Sequence, residues 1–452
     1  MRERDLGITV TDGFTLAAVG DCIITRPLTQ LTATDEGFAR VVALLRDAHA
    51  TFGNLETSIT RLDAPGVVPM GVPEDWTLHG VPAAAPDLRS MGFDLFGRAN
   101  NHSTDWGPGG LRETSRLLDD ARLVHAGVGE SLAAARAPRY LETPWGRVGL
   151  VSAAMTHGHD AAPALDAFGE VPARPGVHAI GVTPVVTVPG DVMDSLGALR
   201  EAFPDIDLAW TPNLEPKQRL EFNRIRFVRG EGFEVGFEVD DDDRAALLRA
   251  VRQASQHADL SVLAIHAHQG EHAPEQPPAH LRAMAHAAID RGADAVIVSG
   301  PHRLAPVEVH AGRPILYGLG NFIWSDMTEP LQGYFYRHSR ATVEGFPDPG
   351  MVTDADLTGA LNAETFDDQD IFRAVLATIR FEAGALGEIR LHPVELGYAQ
   401  PLTRSGIPRT ASPTVGTEIL ERVRAISEPF GTTMTLEDGV AVVRSSGRVE
   451  RG

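Results

Sequence analysis

Short apolar runs recur along this chain, and each stops where glycines and polar residues begin. Phe14-Thr-Leu-Ala-Ala-Val19 closes on Gly20-Asp21, and Ala50-Thr-Phe52-Gly-Asn54-Leu55 closes on Glu56. A third run, Phe93-Asp-Leu-Phe96, leads to Asn100-Asn101-His102. Arg147 to Ser152, Leu260 to His266, Ala293 to Ser299 and Pro314 to Tyr317 continue the series. Runs this short and this uniformly apolar predict buried strands. Between them, apolar residues return every three or four positions over Phe38 to His49, Leu111 to Leu118, Arg244 to His257 and Leu281 to Asp290, which predicts helices. Strand–helix alternation of this kind implies an α/β sheet with its chemistry at the strand ends.

Two stretches break the alternation. From about Gly158 to Asp243 the chain is rich in Pro and Gly and holds only fragments of regular pattern. It reads as a long insertion, of the kind that serves as a lid or substrate wall. From Glu329 to Asp370 it is irregular again, and Tyr334, Phe335, Tyr336 and Arg337 offer aromatic and cationic contacts there. Strand patterns return at Val375 to Phe381, Ile389 to Val394 and Gly439 to Val443, with a helix pattern over Ile419 to Ile426. The expected organisation is a catalytic domain over residues 1–328, interrupted by an insertion at 158–243, followed by an irregular segment and an α+β extension over 329–452.

Composition narrows the function classes. With 43% hydrophobic and 22% charged positions in 452 residues, there is enough apolar material for a substantial core. The formal charge of -21 argues against a nucleic-acid binder, which needs clustered Lys and Arg. The run Asp240 to Asp243 reads as a solvated turn before a helix, with a cation site as the alternative, because like charges repel and stay out of a core. The single cysteine, Cys22, leaves no partner for an intrachain disulfide, and beside Asp21 it is either a small buried hydrophobe or a soft ligand. The charged start, Met1 to Asp5, does not match a signal peptide, and no run approaches the ~18 apolar residues of a membrane helix. A cytoplasmic location with no membrane or nucleic-acid partner is expected.

Five polar clusters close the predicted strands: Gly20-Asp21, Asn54-Leu55-Glu56, Asn100-Asn101-His102, His266-Ala267-His268 and Gly300-Pro301-His302. Singly, each is an ordinary turn or a core histidine. Together they bring carboxylate, amide and imidazole groups from separate strands, which is what a hard or borderline divalent cation needs. In this order, followed by Gly318-Leu319-Gly320-Asn321-Phe322, the chain resembles the CapA family. Those proteins are named for capsule and poly-γ-glutamate synthesis and are related to calcineurin-like metallophosphatases. The resemblance spans roughly Leu16 to Trp324 apart from the insertion, and is most specific over Arg291 to His302 and Tyr317 to Phe322. Leu391 to Leu396 and Gly406 to Arg409 resemble an extension found in part of the family.

The resemblance implies a calcineurin-like metallophosphatase fold, a two-sheet α/β sandwich, and it implies roles. Asp21, Glu56, Asn101 and His266 would hold metal, with Glu56 where phosphatases place a bridging Asp and Asn101 either a ligand or an outer-shell ligand. His102 would be the general acid, His302 the last family histidine, and His268 a second ligand or a base. Asp105, three residues after His102, either orients that imidazole or closes the local turn, and Asp21 could orient His266 or His302 instead of binding metal. Two departures from the phosphatase pattern matter. Ile23 stands where a metal-binding His is expected, and Ser299 and Gly300 fill a stretch that usually carries another. Without those imidazoles, two ions about 3.5–4 Å apart are hard to hold. One oxygen-rich ion, Ca²⁺, Mg²⁺ or Mn²⁺, is expected instead, which frees histidines for proton transfer.

The family includes a metal-dependent epimerase that inverts the C-terminal residue of a lasso-peptide precursor. This chain is similar to it in lacking an anchor, in its reduced ligand set and in its added segments. The expected function is therefore inversion at Cα of a residue in a ribosomal precursor peptide, by His/Asp acid/base chemistry with a metal and without pyridoxal phosphate. The alternatives are a metal-dependent hydrolase of phosphoester, γ-glutamyl or peptide bonds, and an accessory protein of poly-γ-glutamate synthesis.

Overall fold

The computed structural model describes residues 7–70, 77–155, 161–202, 219–222, 225–270, 273–325, 344–353, 355–357, 359–360 and 368–444. The aromatic stretch Tyr334 to Arg337 lies outside these described residues. The first part of the chain supplies β1 (Phe14–Ile23), β2 (Ala50–Leu55), β3 (Leu95–Gly97), β4 (Val124–Ala126), β5 (Arg139–Thr143) and β6 (Gly146–Ala154). Next come β7 (Val182–Val188), β8 (Arg219–Phe222), β9 (Ile225–Arg229) and β10 (Glu234–Val239). β11 (Leu260–His266), β12 (Ala295–Ser299), β13 (Val307–His310), β14 (Arg313–Leu316) and β15 (Asn321–Trp324) follow. The chain ends with β16 (Arg373–Glu382), β17 (Ala385–Glu395), β18 (Thr435–Glu437) and β19 (Val440–Arg444). The longer helices are α1 (Glu36–Asp47), α2 (Ala84–Met91), α3 (Gly107–Asp120), α4 (Gly190–Ala202), α5 (Asp241–His257), α6 (Ala279–Asp290) and α7 (Pro413–Ser427).

Two sheets make the main unit. One runs β18-β19-β17-β16-β1-β2-β3-β4, with β15 also paired to β1, and the other runs β13-β14-β12-β11-β6-β5. Alternation along each strand divides its side chains between two cores. Leu16, Ala18, Phe52 and Leu95 of the first sheet pack with Leu150, Val262, Ala264 and Ile297 of the second. The opposite face of the first sheet, with Val19, Cys22, Phe93 and Phe96, packs against Phe38, Val41 and Leu45 of α1 and Leu88 of α2. Strands buried on both faces must be apolar throughout, which is why they read as unbroken runs. Cys22 is thereby the buried hydrophobe of its two readings. No helix among the described residues is long and apolar enough to cross a membrane.

Two expectations about organisation change. The boundary expected at residue 328/329 does not divide the fold: β16 pairs antiparallel with β1, Leu16 opposite Ile379, and β17 and β19 extend the same sheet. The supposed extension was invisible as sheet because antiparallel partnership to a strand some 360 positions away leaves no local mark. The stretch expected to be mostly irregular contains a compact unit of its own, Ile180–Ala246, with strand order β8-β9-β7-β10 and α4. Val188 and Met193 form its small apolar cluster, with Phe227 and Leu196 packed on it. Within it, Asp240 Oδ1 accepts the N–H groups of Asp242 and Asp243, each at 3.0 Å, so the acidic run caps the start of α5. Carboxylates are favoured there by the unpaired amides and the dipole of the helix.

His178 is a buried structural histidine and gives the main unit a predictable weakness to acid. It has no exposed surface, its Nδ1–H donates to the Ser152 carbonyl at 2.9 Å, and its Nε2 has no partner among the described residues. Burial pushes the imidazole down to about 4 from its usual 6.5. An imidazole depressed on folding adds stability that is whole above pH 6.5 and is lost as pH falls toward 4. The loss is at most about 3 kcal/mol. His178→Asn, which keeps an N–H for Ser152, is expected to flatten the fall. Urea denaturation of both proteins across that pH range checks it, and identical slopes would remove His178 as the cause.

Candidate metal centre

Parallel pairing carries the strand ends to one edge. Asp21 of β1 lies opposite Asn54 of β2 and opposite Asn321 of β15, while His266 of β11 lies opposite Ser299 of β12. The register of β1 shifts between Ala18 and Asp21 against β2, and between Asp21 and Cys22 against β15. Irregularities of this kind re-aim side chains at a strand end. Gly20 is required in this crossing: a Cβ there would meet the Gly320 carbonyl oxygen at 1.9 Å.

Glu56 is the centre of the arrangement. It is wholly buried, and neither carboxylate oxygen has a hydrogen-bond partner among the described residues. Its Oε1 is 3.4 Å from His266 Nε2 and 3.9 Å from both His268 Nε2 and His302 Nε2. His266 Nε2 is in turn 3.1 Å from His268 Nε2 and 2.7 Å from Asn101 Oδ1. Donors held about 2.0–2.2 Å from one ion lie roughly 3–3.5 Å from each other. Glu56, His266, His268 and Asn101 therefore stand near ligand spacing, and an ion would satisfy the carboxylate that the described protein donors leave bare. Glu56, His266 and His268 form one donor group and Asp21, Glu56 and His302 another, with Glu56 shared.

Surrounding contacts orient the imidazoles. His266 Nδ1 meets Ser299 Oγ at 3.0 Å, and a proton on Nδ1 donated to that hydroxyl leaves Nε2 as the ligand atom. His302 Nδ1 meets Asn321 Oδ1 at 2.8 Å and lies 3.4 Å from Asp21 Oδ2. Asp21 itself is held by protein donors, Asn54 Nδ2 at 2.8 Å on Oδ1 and the Gly300 N–H at 3.1 Å on Oδ2. Asp21 thus touches His302 and also belongs to the second donor group. His302 adopts a left-handed backbone, φ 54°, uncommon outside glycine and typical of strained functional positions. Its ring stands edge-on to Trp324, centroids 5.0 Å apart.

His102 and Asp105 make a separate pair at this edge. His102 Nδ1 is 2.9 Å from Asp105 Oδ2, which also accepts the Leu78 N–H at 2.7 Å, so Asp105 both orients the imidazole and ties its loop to the segment at Leu78. The electrostatics divide the carboxylates. Burial raises Asp21, but the hydrogen bond and charge of His302, then His266 and the Gly300 N–H, outweigh it and hold Asp21 well below the usual range. Burial first, and the Asp21 charge second, hold Glu56 well above its usual value. Burial, then His268, keeps His266 neutral by lowering it well below 6.5. A neutral imidazole is the ligand form.

All eight residues singled out from the sequence lie in this region. The sequence did not assign roles to Ser299, Asn321 or Asn54. Ser299 was visible only as the absence of a histidine, and Asn54 and Asn321 only as members of motifs.

The sequence model of the family described as bacterial capsule synthesis protein PGA_cap matches residues 15–326. The uncharacterized protein y4sH of Sinorhizobium fredii is 39% identical over 445 residues, 96% of this chain and 94% of that protein. The capsule biosynthesis protein CapA of Bacillus anthracis is 23% identical over 69% of this chain and 59% of its own length. A Mycobacterium tuberculosis protein named as a probable polyglutamine synthesis accessory protein is 27% identical over 60% of this chain and 54% of its own length. With well over half of its residues matched and a relative similar along almost its whole length, the chain belongs to the bacterial capsule synthesis protein family PGA_cap, of metallophosphatase-like fold.

Proposed function

We propose that this chain is a metal-dependent epimerase that inverts Cα of a residue, at or near the C-terminus, in a ribosomal lasso-type precursor peptide. The observation that supports this reading is a pair of oriented imidazoles beside the cation site. His102 has Nδ1 against Asp105 at 2.9 Å, and His302 has Nδ1 against Asn321 at 2.8 Å. Each then turns its Nε2 to the reaction, and inversion needs one Nε2 unprotonated to take the Cα proton and the other protonated to return one to the opposite face. Asp105 Oδ2 holds the His102 ring at 2.9 Å, and Asp21 Oδ2 lies 3.4 Å from His302 Nδ1. A divalent cation on Glu56, His266, His268 and Asn101 would supply positive charge against an enolate oxygen. No pyridoxal phosphate is required. Of Ca²⁺, Mg²⁺ and Mn²⁺, Mn²⁺ suits a donor set containing two imidazoles best. One tightly held ion is expected at this centre, counted as the ions lost per chain when Glu56 is replaced by Gln.

A second reading is favoured by one feature, the sharing of Glu56 between two donor groups. A carboxylate so placed suits two ions and hydrolysis of a phosphoester or a γ-glutamyl bond. The relatives named for capsule and polyglutamine synthesis make poly-γ-glutamate the second substrate to test.

Incubation with candidate peptide in D₂O separates the two. Epimerisation is expected to place one deuterium at a single residue, with no bond broken, and to approach a mixture of stereoisomers from either side. The group that returns a proton carries one drawn from solvent, which is why the label enters. Release of phosphate or cleaved peptide, with no label at Cα, would end the epimerase reading in favour of the hydrolase.

A further inference from the structure

We propose that His286, Glu308 and His310 form a second divalent-cation site, separate from the first, with the Zn²⁺-type preference for imidazole and carboxylate. β14 runs parallel to β12, with Val296 opposite Ile315, and β13 returns antiparallel to it with His310 opposite Arg313. His310 therefore lies toward the end of the sheet opposite His266 and Ser299. Helix spacing sets His286 and Asp290 one turn apart on α6, and strand alternation sets Glu308 and His310 on one face of β13.

The donor atoms are close and one of them is anchored. Glu308 is 8% exposed, and its Oε2 accepts the hydroxyl of buried Tyr317 at 2.8 Å. That bond fixes the carboxylate and leaves Oε1 to His286, whose Nε2 is 2.9 Å away. The His286 and His310 rings stack with centroids 4.0 Å apart and 4° between their planes. One nitrogen of each histidine and one oxygen of Glu308 lie within 4.8 Å of one another. His310 Nε2 is also 3.4 Å from Asp290 Oδ1, a fourth donor. Two imidazoles and a carboxylate whose far oxygen is held by a neighbouring hydroxyl are a donor set suited to zinc. Each histidine side chain is 29% exposed, so an ion can enter from solvent. Parallel rings aim their lone pairs side by side, and closing on an ion turns one ring about its Cβ–Cγ bond. The consequence is a clip between α6 and β13, which is the edge strand of its sheet and gains protection from it.

Calorimetric titration of the full chain with ZnCl₂ tests this, with wild type beside His310→Ala and His286→Ala. Each variant is expected to bind one Zn²⁺ fewer per chain than wild type. Tyr317→Phe is expected to keep the ion but bind it ~10–100-fold more weakly, because the carboxylate is no longer oriented. Metal-free melting curves that match wild type establish that the histidine variants are folded. Unchanged Zn²⁺ stoichiometry and affinity in both folded histidine variants would overturn the site, and unchanged affinity in Tyr317→Phe would overturn the anchoring role given to Tyr317.

Discussion

Replacing Glu56 with Gln is expected to stabilise the metal-free protein and to erase the stabilisation that added Mn²⁺ gives the wild type. Glu56 is fully buried with both oxygens unpartnered among the described residues, and burial and the neighbouring Asp21 raise its pKa well above the usual value. A carboxyl raised on folding costs stability as pH rises through its unfolded value, near 4.5, toward its folded one. The amide has no such charge, so the advantage of Glu56→Gln in the metal-free protein grows with pH. A bound cation reverses the sign, since the wild-type carboxylate then meets its partner. At free metal 100-fold above Kd the wild type gains about 2.7 kcal/mol. Thermal melts of both proteins with chelator and with Mn²⁺ read this directly. A metal-dependent shift in Glu56→Gln equal to that of the wild type would show that the ion sits elsewhere.

The second large effect concerns turnover. His102→Ala is expected to lower the rate ~10²–10⁴-fold while leaving metal binding and the fold intact. Asp105→Asn should approach the same loss, because an amide can still accept the Leu78 N–H but no longer supports a charged His102. Residues that act as one unit do not lose rate additively, so the double variant should be no slower than His102→Ala alone. Rates for the three variants, measured beside their metal stoichiometry, decide the matter. A double variant slower by the product of the single losses would separate the two residues, and near-wild-type activity in His102→Ala would remove it from the mechanism. If Asp105 matters only for its tie to Leu78, Asp105→Asn will lower the melting temperature and leave the rate alone.

These two experiments rest on different parts of what could be read from the chain. The polar residues that close apolar runs were legible because a buried strand must stay apolar until it reaches the sheet edge, and parallel strands share that edge. Asp21, Glu56 and His266 announce themselves this way, and His102 with Asp105 does so through a spacing of three. The helices α1, α3, α5 and α6 were legible from their period for the same local reason.

Tertiary structure decided what depends on partners far along the chain. That Glu56 lacks any donor among the described residues, that Ser299 takes one nitrogen of His266, and that Asn321 takes one of His302 are facts about residues 19 to more than 200 positions apart. The attachment of β16 to β1, and the stacking of His286 on His310, are of the same kind. By itself the sequence determined which residues are apolar with which period, and hence the elements, their α/β alternation and the polar groups at strand ends, because burial imposes its pattern on neighbouring positions. Register, the choice of imidazole nitrogen and the shift of each carboxyl depend on distances of a few ångströms between strands, and only the packed chain sets those distances.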